Sequence, residues 1–416
     1  MTQTMKGKPV PVDRVLYAQA SHGEEEIAAV LGVLRGGPQA LRIGPNVAEM
    51  ERRVASLFGK QLGLMCNSGS SALLLAFALL DLPRGSEVIT SPLTFSTDIG
   101  ALYHLGLTPV FVDVEPDTFN ADVSRIEEMV TPKTRALFFP NLAGNAPDWD
   151  VVRDIADRHH LLVVEDSCDA LGATLRGTPT GTRSDISVTS FAMSHIITCA
   201  GNGGMVLLDD EQLRDRGLML RRWGRRSEPH LFGSQAARTG RVFREDLDGI
   251  PYDNDFIFDV QPWNFEPSEL GAAYGLVQLD RLAEFTERRR KNFEVYTAFL
   301  SEHPDAFVVP RQLDRLETAW LCYGLLVTED AGFERPDLQE YLDTVGVDTR
   351  TIWSGNITRH PMMQGVDYRV PAAGLPNADR VMRQGLILPC SHGLTDDELD
   401  YVCSRIEHFL KDRSTR

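Results

Sequence analysis

The chain has little lysine and no long apolar run. Its 416 residues hold six lysines, at Lys6, Lys8, Lys60, Lys133, Lys291 and Lys411. The most apolar stretch, residues 72–80, is too short to cross a bilayer, and residues 1–6 lack the apolar core of a secretory signal peptide. We therefore predict neither a membrane protein nor a secreted one.

Positive charge and cysteine are also in short supply. Lys and Arg total 42 against 59 for Asp and Glu, which gives a net charge of −17. Such an excess of negative charge argues against nucleic acid or an anionic membrane as the main partner. The six cysteines are scattered, with no Cys-x-x-Cys pair. This usage favours a reduced, cytoplasmic protein, and we predict no metal site.

Short apolar runs alternate with helical patterns through the first two-thirds of the chain. The predicted strands are residues 62–66, 87–91, 108–114, 136–139 and 161–166, and the predicted helices include residues 47–57 and 70–82. Continuous apolar strands between helices are typical of a mostly parallel sheet covered by helices on both faces. The sequence therefore predicts an α/β fold.

The length suits a large domain followed by a smaller one. We place the large domain at residues 1–303, ending in a long helix over residues 268–300. Residues 226–262 are polar and weakly periodic, which predicts a long loop or insertion. Residues 304–416 are predicted to form a smaller C-terminal α+β domain.

Two groups of polar residues follow predicted strands. The segment Asn67-Ser68-Gly69-Ser70-Ser71 opens a helix, so its free N–H groups could bind a phosphate or could form an ordinary capped turn. Asp166 and Asp169 lie where α/β proteins bind ligands, and Asp166 could pair with a ring nitrogen or cap a helix. The residues alone leave both choices open.

The segment from Thr189 to Thr198, with the glycines at 201, 203 and 204, points to a family. It resembles the Ser-Phe-x-x-x-Lys-x-x-Thr…Gly-Gly segment of the DegT/DnrJ/EryC1/StrS sugar aminotransferases. In that family the lysine holds pyridoxal phosphate (PLP) covalently, and here His195 stands in its place. Imidazole can exchange protons near neutral pH but cannot hold the cofactor aldehyde. The resemblance therefore implies non-covalently bound pyridoxamine phosphate (PMP) or PLP.

Within the family, this exchange marks the 3-dehydratases of nucleotide-linked 4-keto-6-deoxyhexoses. The resemblance implies the type I aminotransferase fold, a homodimer, and an amino donor such as glutamate. It also implies a catalytic role for His195, cofactor-binding roles for Gly69, Ser70, Phe95, Asp166, Asp169, Ser190 and Asn264, and substrate-binding roles for Asn145, Asn356 and Arg359. Asn264 would reach the cofactor phosphate of the neighbouring subunit.

One feature of the CDP-sugar enzymes that this chain resembles is missing from the sequence. Those enzymes carry a 2Fe–2S cluster on four cysteines, and here only Cys168 matches, while the other positions fall near Ser227, Pro229 and Ala237. Because a cluster needs thiolate ligands, we predict none. Two other functions stay open: a PMP enzyme acting on another ketone, such as a cyclitol or an aminoglycoside intermediate, and a non-catalytic relative that only binds a ligand.

Overall fold

The computed structural model describes residues 14–236 and 245–414. The strands are β1 (Leu62–Cys66), β2 (Glu87–Thr90), β3 (Thr108–Phe111), β4 (Thr134–Pro140), β5 (Leu162–Asp166), β6 (Thr174–Leu175), β7 (Thr178–Pro179), β8 (Ile186–Ser190), β9 (Gly204–Leu208), β10 (Glu245–Leu247), β11 (Ile250–Tyr252), β12 (Phe307–Val308), β13 (Leu316–Glu317), β14 (Tyr323–Val327) and β15 (Gly385–Leu388).

The helices lie between and around these strands. They are α1 (Glu24–Arg35), α2 (Pro45–Leu57), α3 (Gly69–Leu80), α4 (Ser96–His104), α5 (Ile126–Met129), α6 (Trp149–His159), α7 (Glu211–Arg221), α8 (Glu228–Phe232), α9 (Glu269–Asp280), α10 (Leu282–Leu300), α11 (Arg335–Thr344), α12 (Pro376–Gln384) and α13 (Asp396–Ser414).

A seven-stranded sheet forms the centre of the larger part, in the order β1-β9-β8-β5-β4-β2-β3. Strand β9 is antiparallel to both of its neighbours, while β8, β5, β4, β2 and β3 run parallel to one another. Side chains alternate between two apolar cores: Phe138 faces the core of α3 and α4, and Phe139 faces the core of α6. The prediction of a mostly parallel sheet with helices on both faces is confirmed.

A smaller antiparallel sheet, β12-β14-β15, packs with α11 and α13. Its core also takes Tyr296 and Leu300 from α10, so residues before 304 help to build it. The division at residue 304 stays a prediction. The single helix predicted over residues 268–300 is wrong, because α9 and α10 are separated at Arg281, whose φ and ψ of −95° and 2° are not helical.

The predicted insertion contains local structure. Helix α8 opens it, strands β10 and β11 form an antiparallel ribbon, and Arg226 pairs with Glu245 at 2.8 Å and Asp259 at 2.7 Å. Ser227 and Pro229 lie at the start of α8, whereas Ala237 is outside the described residues. Over the described ranges, no helix combines the length and apolarity needed to cross a membrane.

Candidate active site

A cavity of about 660 Å³ opens where several parallel strands end. Segments that follow β1, β2, β5 and β8 all contribute to its lining, because the carboxyl ends of parallel strands meet at one edge of a sheet. Seven of the residues predicted for the site line this cavity: Gly69, Ser70, Phe95, Asp166, Asp169, Ser190 and His195. The structure thus brings together the predicted catalytic residue and six of the seven predicted cofactor residues.

The start of α3 provides donors for an anion. Ser68 caps the helix by accepting the Ser71 N–H at 3.1 Å, which leaves the N–H groups of Gly69 and Ser70 for another acceptor. A Cβ on Gly69 would lie 2.7 Å from the Ser190 Cβ, so this close approach requires glycine. The helix end, together with the Ser190 hydroxyl, fits a phosphate group.

Asp166 lies in the same cavity at the end of β5. It is buried, and its Oδ1 accepts the Cys168 N–H at 2.9 Å. Burial raises the pKa of Asp166, while the bond from Cys168 opposes that shift. Such a carboxyl group suits a cationic partner like a protonated ring nitrogen. Phe95 has a ring that is 54% exposed and offers the cavity an aromatic face.

The imidazole of His195 is held by a hydrogen bond to the backbone of Cys168. Its Nδ1 lies 2.7 Å from the Cys168 carbonyl oxygen, so Nδ1 carries the hydrogen and Nε2 is the basic nitrogen. Burial lowers the pKa of His195 to about 4, and the Arg289 charge acts in the same direction. The imidazole is therefore neutral at pH 7 and ready to accept a proton.

Asp169 lies beside this imidazole. Its Oδ1 is 3.9 Å from His195 Nδ1, and its Oδ2 accepts the Ala143 N–H at 3.0 Å. Burial and the Asp166 charge raise the pKa of Asp169 well above its ordinary value. Burial thus disfavours the charged form of Asp169 beside His195.

The lining residues match the chemistry of a pyridoxal-type cofactor. Anion donors, a carboxyl group, an aromatic face and a neutral base meet in one cavity, and no lysine is among the described residues that line it. Lys60 bonds Asp209 and Lys291 bonds Asp396. A cofactor in this cavity would be held without a covalent bond from the lining residues.

The three predicted substrate residues lie outside the cavity lining. Asn145 is buried, and its amide bonds the backbone of Arg311 at 2.9 Å and of Leu313 at 3.2 Å. Because these bonds join two chain segments, they describe a structural asparagine. Direct contact of Asn145 with substrate is a prediction that this geometry does not support.

Asn356 and Arg359 share a partner instead of facing the cavity. The Asn356 amide donates to Asp379 Oδ1 at 2.8 Å, and Arg359 Nε donates to the same oxygen at 3.0 Å. The Arg359 side chain is 61% exposed. Their neighbour Ile357 does line the cavity, whereas the side chains of Asn356 and Arg359 are engaged elsewhere, so their contact with substrate stays a prediction.

Asn264 is exposed on the surface, and its backbone forms an isolated antiparallel β-bridge with Arg222. Its Oδ1 accepts the Glu266 N–H at 3.3 Å. Asn264 does not line the cavity of its own chain, which is the position expected of a residue that acts on a neighbouring subunit. Its role across a dimer stays a prediction.

Many residues of the cavity lining were not predicted for the site, among them Arg350 and Asp98. Arg350 is the one arginine or lysine among the described lining residues, and its guanidinium carbon is 5.4 Å from the Tyr17 ring centre. Asp98, in the first turn of α4, is a third carboxyl group in the lining. No local pattern in the sequence distinguishes either residue as part of a site.

One cavity at the edge of an α/β sheet combines a helix N-terminus that fits a phosphate, a carboxyl group at a strand end and a base. These features define the class: an enzyme of the type I aminotransferase fold. The chain belongs to the DegT/DnrJ/EryC1/StrS aminotransferase family, whose match spans residues 20–407. The predicted family and fold are confirmed.

Relatives in this family include sugar 3-dehydratases. The chain is 36% identical over 379 residues to the dTDP-4-dehydro-2,6-dideoxy-D-glucose 3-dehydratase of Saccharopolyspora spinosa, covering 88% of this chain and 80% of the relative. It resembles the structure of E. coli GDP-4-keto-6-deoxy-D-mannose-3-dehydratase with bound hydrated PLP, with TM-score 0.83 and 28% identity, over 94% of this chain and 99% of that one. A GDP-4-keto-6-deoxymannose-3-dehydratase with a trapped PLP–glutamate geminal diamine also matches, with TM-score 0.83, 27% identity and the same coverages of 94% and 99%.

Proposed function

We propose that the protein is a PMP-dependent dehydratase that removes the carbon-3 hydroxyl of a nucleotide-linked 4-keto-6-deoxyhexose. The observation that carries the proposal is the neutral His195 in a cavity without a lining lysine. A base that cannot capture the cofactor favours elimination over ordinary amine transfer. The similarity to named 3-dehydratases supports this choice of substrate class.

Each part of the cavity has a task in this proposal. Gly69, Ser70 and Ser190 hold the cofactor phosphate, Asp166 pairs with the ring nitrogen, and Phe95 covers the ring. When bound, PMP supplies an amine that condenses with a ketone and a ring that withdraws electrons from the adjacent carbon. These residues would hold the cofactor in the cavity that His195 also lines.

His195 moves the proton. Because the Cys168 carbonyl holds Nδ1, Nε2 is the atom of His195 that would accept a proton in the cavity and return it to the hydroxyl leaving carbon 3. Water is released, so no net proton is needed for this step. Asp169 lies 3.9 Å from the imidazole, and its raised pKa disfavours a negative charge beside His195.

The cycle closes without a metal cluster. Hydrolysis yields a 3-deoxy ketosugar, ammonia and PLP, and an amino donor such as glutamate restores PMP. A PLP–glutamate adduct in a similar dehydratase supports this donor. We also propose a homodimer in which Asn264 reaches the cofactor phosphate of the neighbouring subunit.

Product analysis tests the proposed reaction. Purified protein with PMP and a panel of nucleotide-linked 4-keto-6-deoxysugars should yield a 3-deoxy ketosugar, detected by mass spectrometry as loss of oxygen at carbon 3. Transfer of an amino group to the sugar instead would contradict the proposal. Omitting PMP is the control that links the product to the cofactor.

Two chemical assays test how the cofactor is held. Borohydride treatment of the protein with PLP should leave no label on a lysine of the site, because His195 cannot form the bond that borohydride fixes. Anaerobically purified protein should contain no stoichiometric iron or sulfide. About two of each per chain, the content of a 2Fe–2S cluster, would overturn the prediction of no cluster.

A further inference from the structure

Asp98 and Asp166 form a pair of buried acids in the cavity. Asp98 is 0% exposed and Asp166 is 6% exposed, and both line the cavity. They come from different elements, the first turn of α4 and the end of β5. Two interacting carboxyl groups in a medium of low dielectric constant do not both ionise at neutral pH, so the pair retains a proton.

The hydrogen bonds around the pair indicate where that proton lies. The Thr94 hydroxyl donates to Asp98 Oδ2, whereas Asp98 Oδ1 is buried and has no hydrogen-bond partner among the described residues. Asp166 is stabilised as a carboxylate by the Cys168 N–H at 2.9 Å. A hydrogen bond from Asp98 lowers the pKa of Asp166, while burial and the Asp166 charge raise the pKa of Asp98 well above its ordinary value.

We propose that Asp98 is a positioning residue for Asp166: its neutral carboxyl group donates a hydrogen bond that keeps Asp166 ionised and aimed at the cofactor ring nitrogen. Asp98 acts through Asp166 and not on the ring itself. The inference rests on the proposed function, because it assumes that Asp166 receives a pyridinium in this cavity.

Two substitutions of similar size separate hydrogen bonding from charge. Asp98→Asn keeps a donor toward Asp166, whereas Asp98→Leu removes it. The readouts are the Kd of PMP and the ¹⁵N chemical shift of PMP labelled at the ring nitrogen, both measured on the full-length protein. Asp98→Asn should match wild type in both. Asp98→Leu should weaken PMP binding by roughly tenfold or more and move the shift toward the unprotonated ring, because a hydrogen bond to a charged group is lost.

The two variants distinguish the possible roles of Asp98. If Asp98→Leu matches wild type, Asp98 does not position Asp166. If Asp98→Asn is impaired as strongly as Asp98→Leu, the pair acts through charge, and the hydrogen-bond role is overturned. Wild-type protein that binds no PMP would overturn both this role and the proposed function, whereas normal binding with two unaffected variants would overturn this role alone.

Infrared spectroscopy provides a second test that does not depend on the folding of Asp98→Leu. Wild-type protein should show the carbonyl band of a protonated carboxyl group that is lost in Asp98→Asn, with circular dichroism confirming the fold of both proteins. The matched control is Asp122→Asn, at a carboxylate that caps a short helix outside the cavity. An unchanged band in Asp98→Asn would show that Asp98 does not hold the proton, and would contradict the proposal.

Discussion

Two regions of the cavity are built in different ways. The strand-end group, which consists of Gly69, Phe95, Asp166 and Ser190, follows or ends strands of one sheet. The 350–362 segment crosses the cavity from the C-terminal part and contains only short helical turns. It is held by long-range contacts, among them the Ile357 N–H on the Pro92 carbonyl at 2.9 Å.

The difference separates a fixed part of the site from an adaptable one. Strands β2, β5 and β8 lie inside the sheet and are held by hydrogen bonds on both sides, and the edge strand β1 is held by β9, which suits a cofactor that stays bound. A segment of loops and short turns can change its side chains without disturbing the sheet, which suits recognition of one sugar among many. We infer that the strand-end group binds the cofactor and that the 350–362 segment selects the substrate.

The largest effect is expected at His195, which stands between these regions. His195→Ala should lower turnover by roughly 10²–10⁴-fold, the usual contribution of a general acid–base residue, while PMP affinity stays near that of wild type. Single-turnover kinetics and PMP titration measure the two quantities. The matched control is the exposed His104→Ala. Wild-type dehydration by His195→Ala would show that His195 is structural.

His195→Lys should change the chemistry and not only the rate. Lysine can capture PLP covalently and return protons, so dehydration should cease and the protein should move toward amine transfer. Borohydride should then fix the cofactor to residue 195, as found by peptide mass spectrometry. Continued dehydration without covalent capture would contradict the division of roles proposed for this position.

A second, smaller effect tests the 350–362 segment through two arginines. Arg350→Met should raise the substrate KM by roughly tenfold to a hundredfold, because it removes the one arginine among the described lining residues, which we expect to bind the substrate diphosphate. Arg359→Met is the matched control, since Arg359 is exposed and pairs with Asp379. The sequence alone predicted the larger effect at Arg359. A larger loss in Arg359→Met would restore that prediction and remove Arg350 from the substrate site.

Gly69 tests the strand-end group. A Cβ there would lie 2.7 Å from the Ser190 Cβ, so Gly69→Ala should push α3 away from Ser190 and weaken PMP binding by about tenfold. Gly100→Ala in α4 is the control, because a Cβ at Gly100 meets nothing within 4 Å. It should raise thermal stability slightly and leave PMP affinity unchanged. Equal PMP affinity in the two variants would show that the close approach is not needed.

Local patterns predicted where Gly69 and Asp166 lie, because each is placed at the end of an apolar run that is typical of a buried strand. The roles of Phe95 and Ser190 came from the resemblance to the family. Strand β1 begins and ends at the predicted residues, and the fold follows from the same alternation. Asp98 escaped prediction because an acid in the first turn of a helix is ordinary, favoured by the helix dipole. Its burial against Asp166 depends on how α4 packs on the sheet, which no local pattern records.

Long-range contacts also explain where the structure departs from what the sequence suggested. Nothing near Arg281 in the sequence, neither glycine nor proline, marks the end of α9. Asn145 has its amide taken by segments more than 160 residues away, as its bonds to Arg311 and Leu313 show. Such partners become visible only once the chain is folded.

The smallest effect is a pH dependence that originates at His195. Burial lowers its pKa to about 4 from an ordinary value of 6.5, so the unfolded chain binds this proton more readily than the folded one. Stability must therefore fall as the pH drops from 6.5 toward 4, by about 1 kcal/mol between pH 6.5 and 5.5.

His195→Asn keeps a donor for the Cys168 carbonyl and should lack this part of the slope. Buried carboxyl groups whose pKa is raised, such as Asp169, act in the opposite direction but are common to both proteins. Urea denaturation of cofactor-free wild type and variant at the two pH values isolates the His195 contribution as a difference. Equal slopes would mean that His195 titrates near its ordinary pKa and is not the neutral, desolvated base that the proposed dehydration requires.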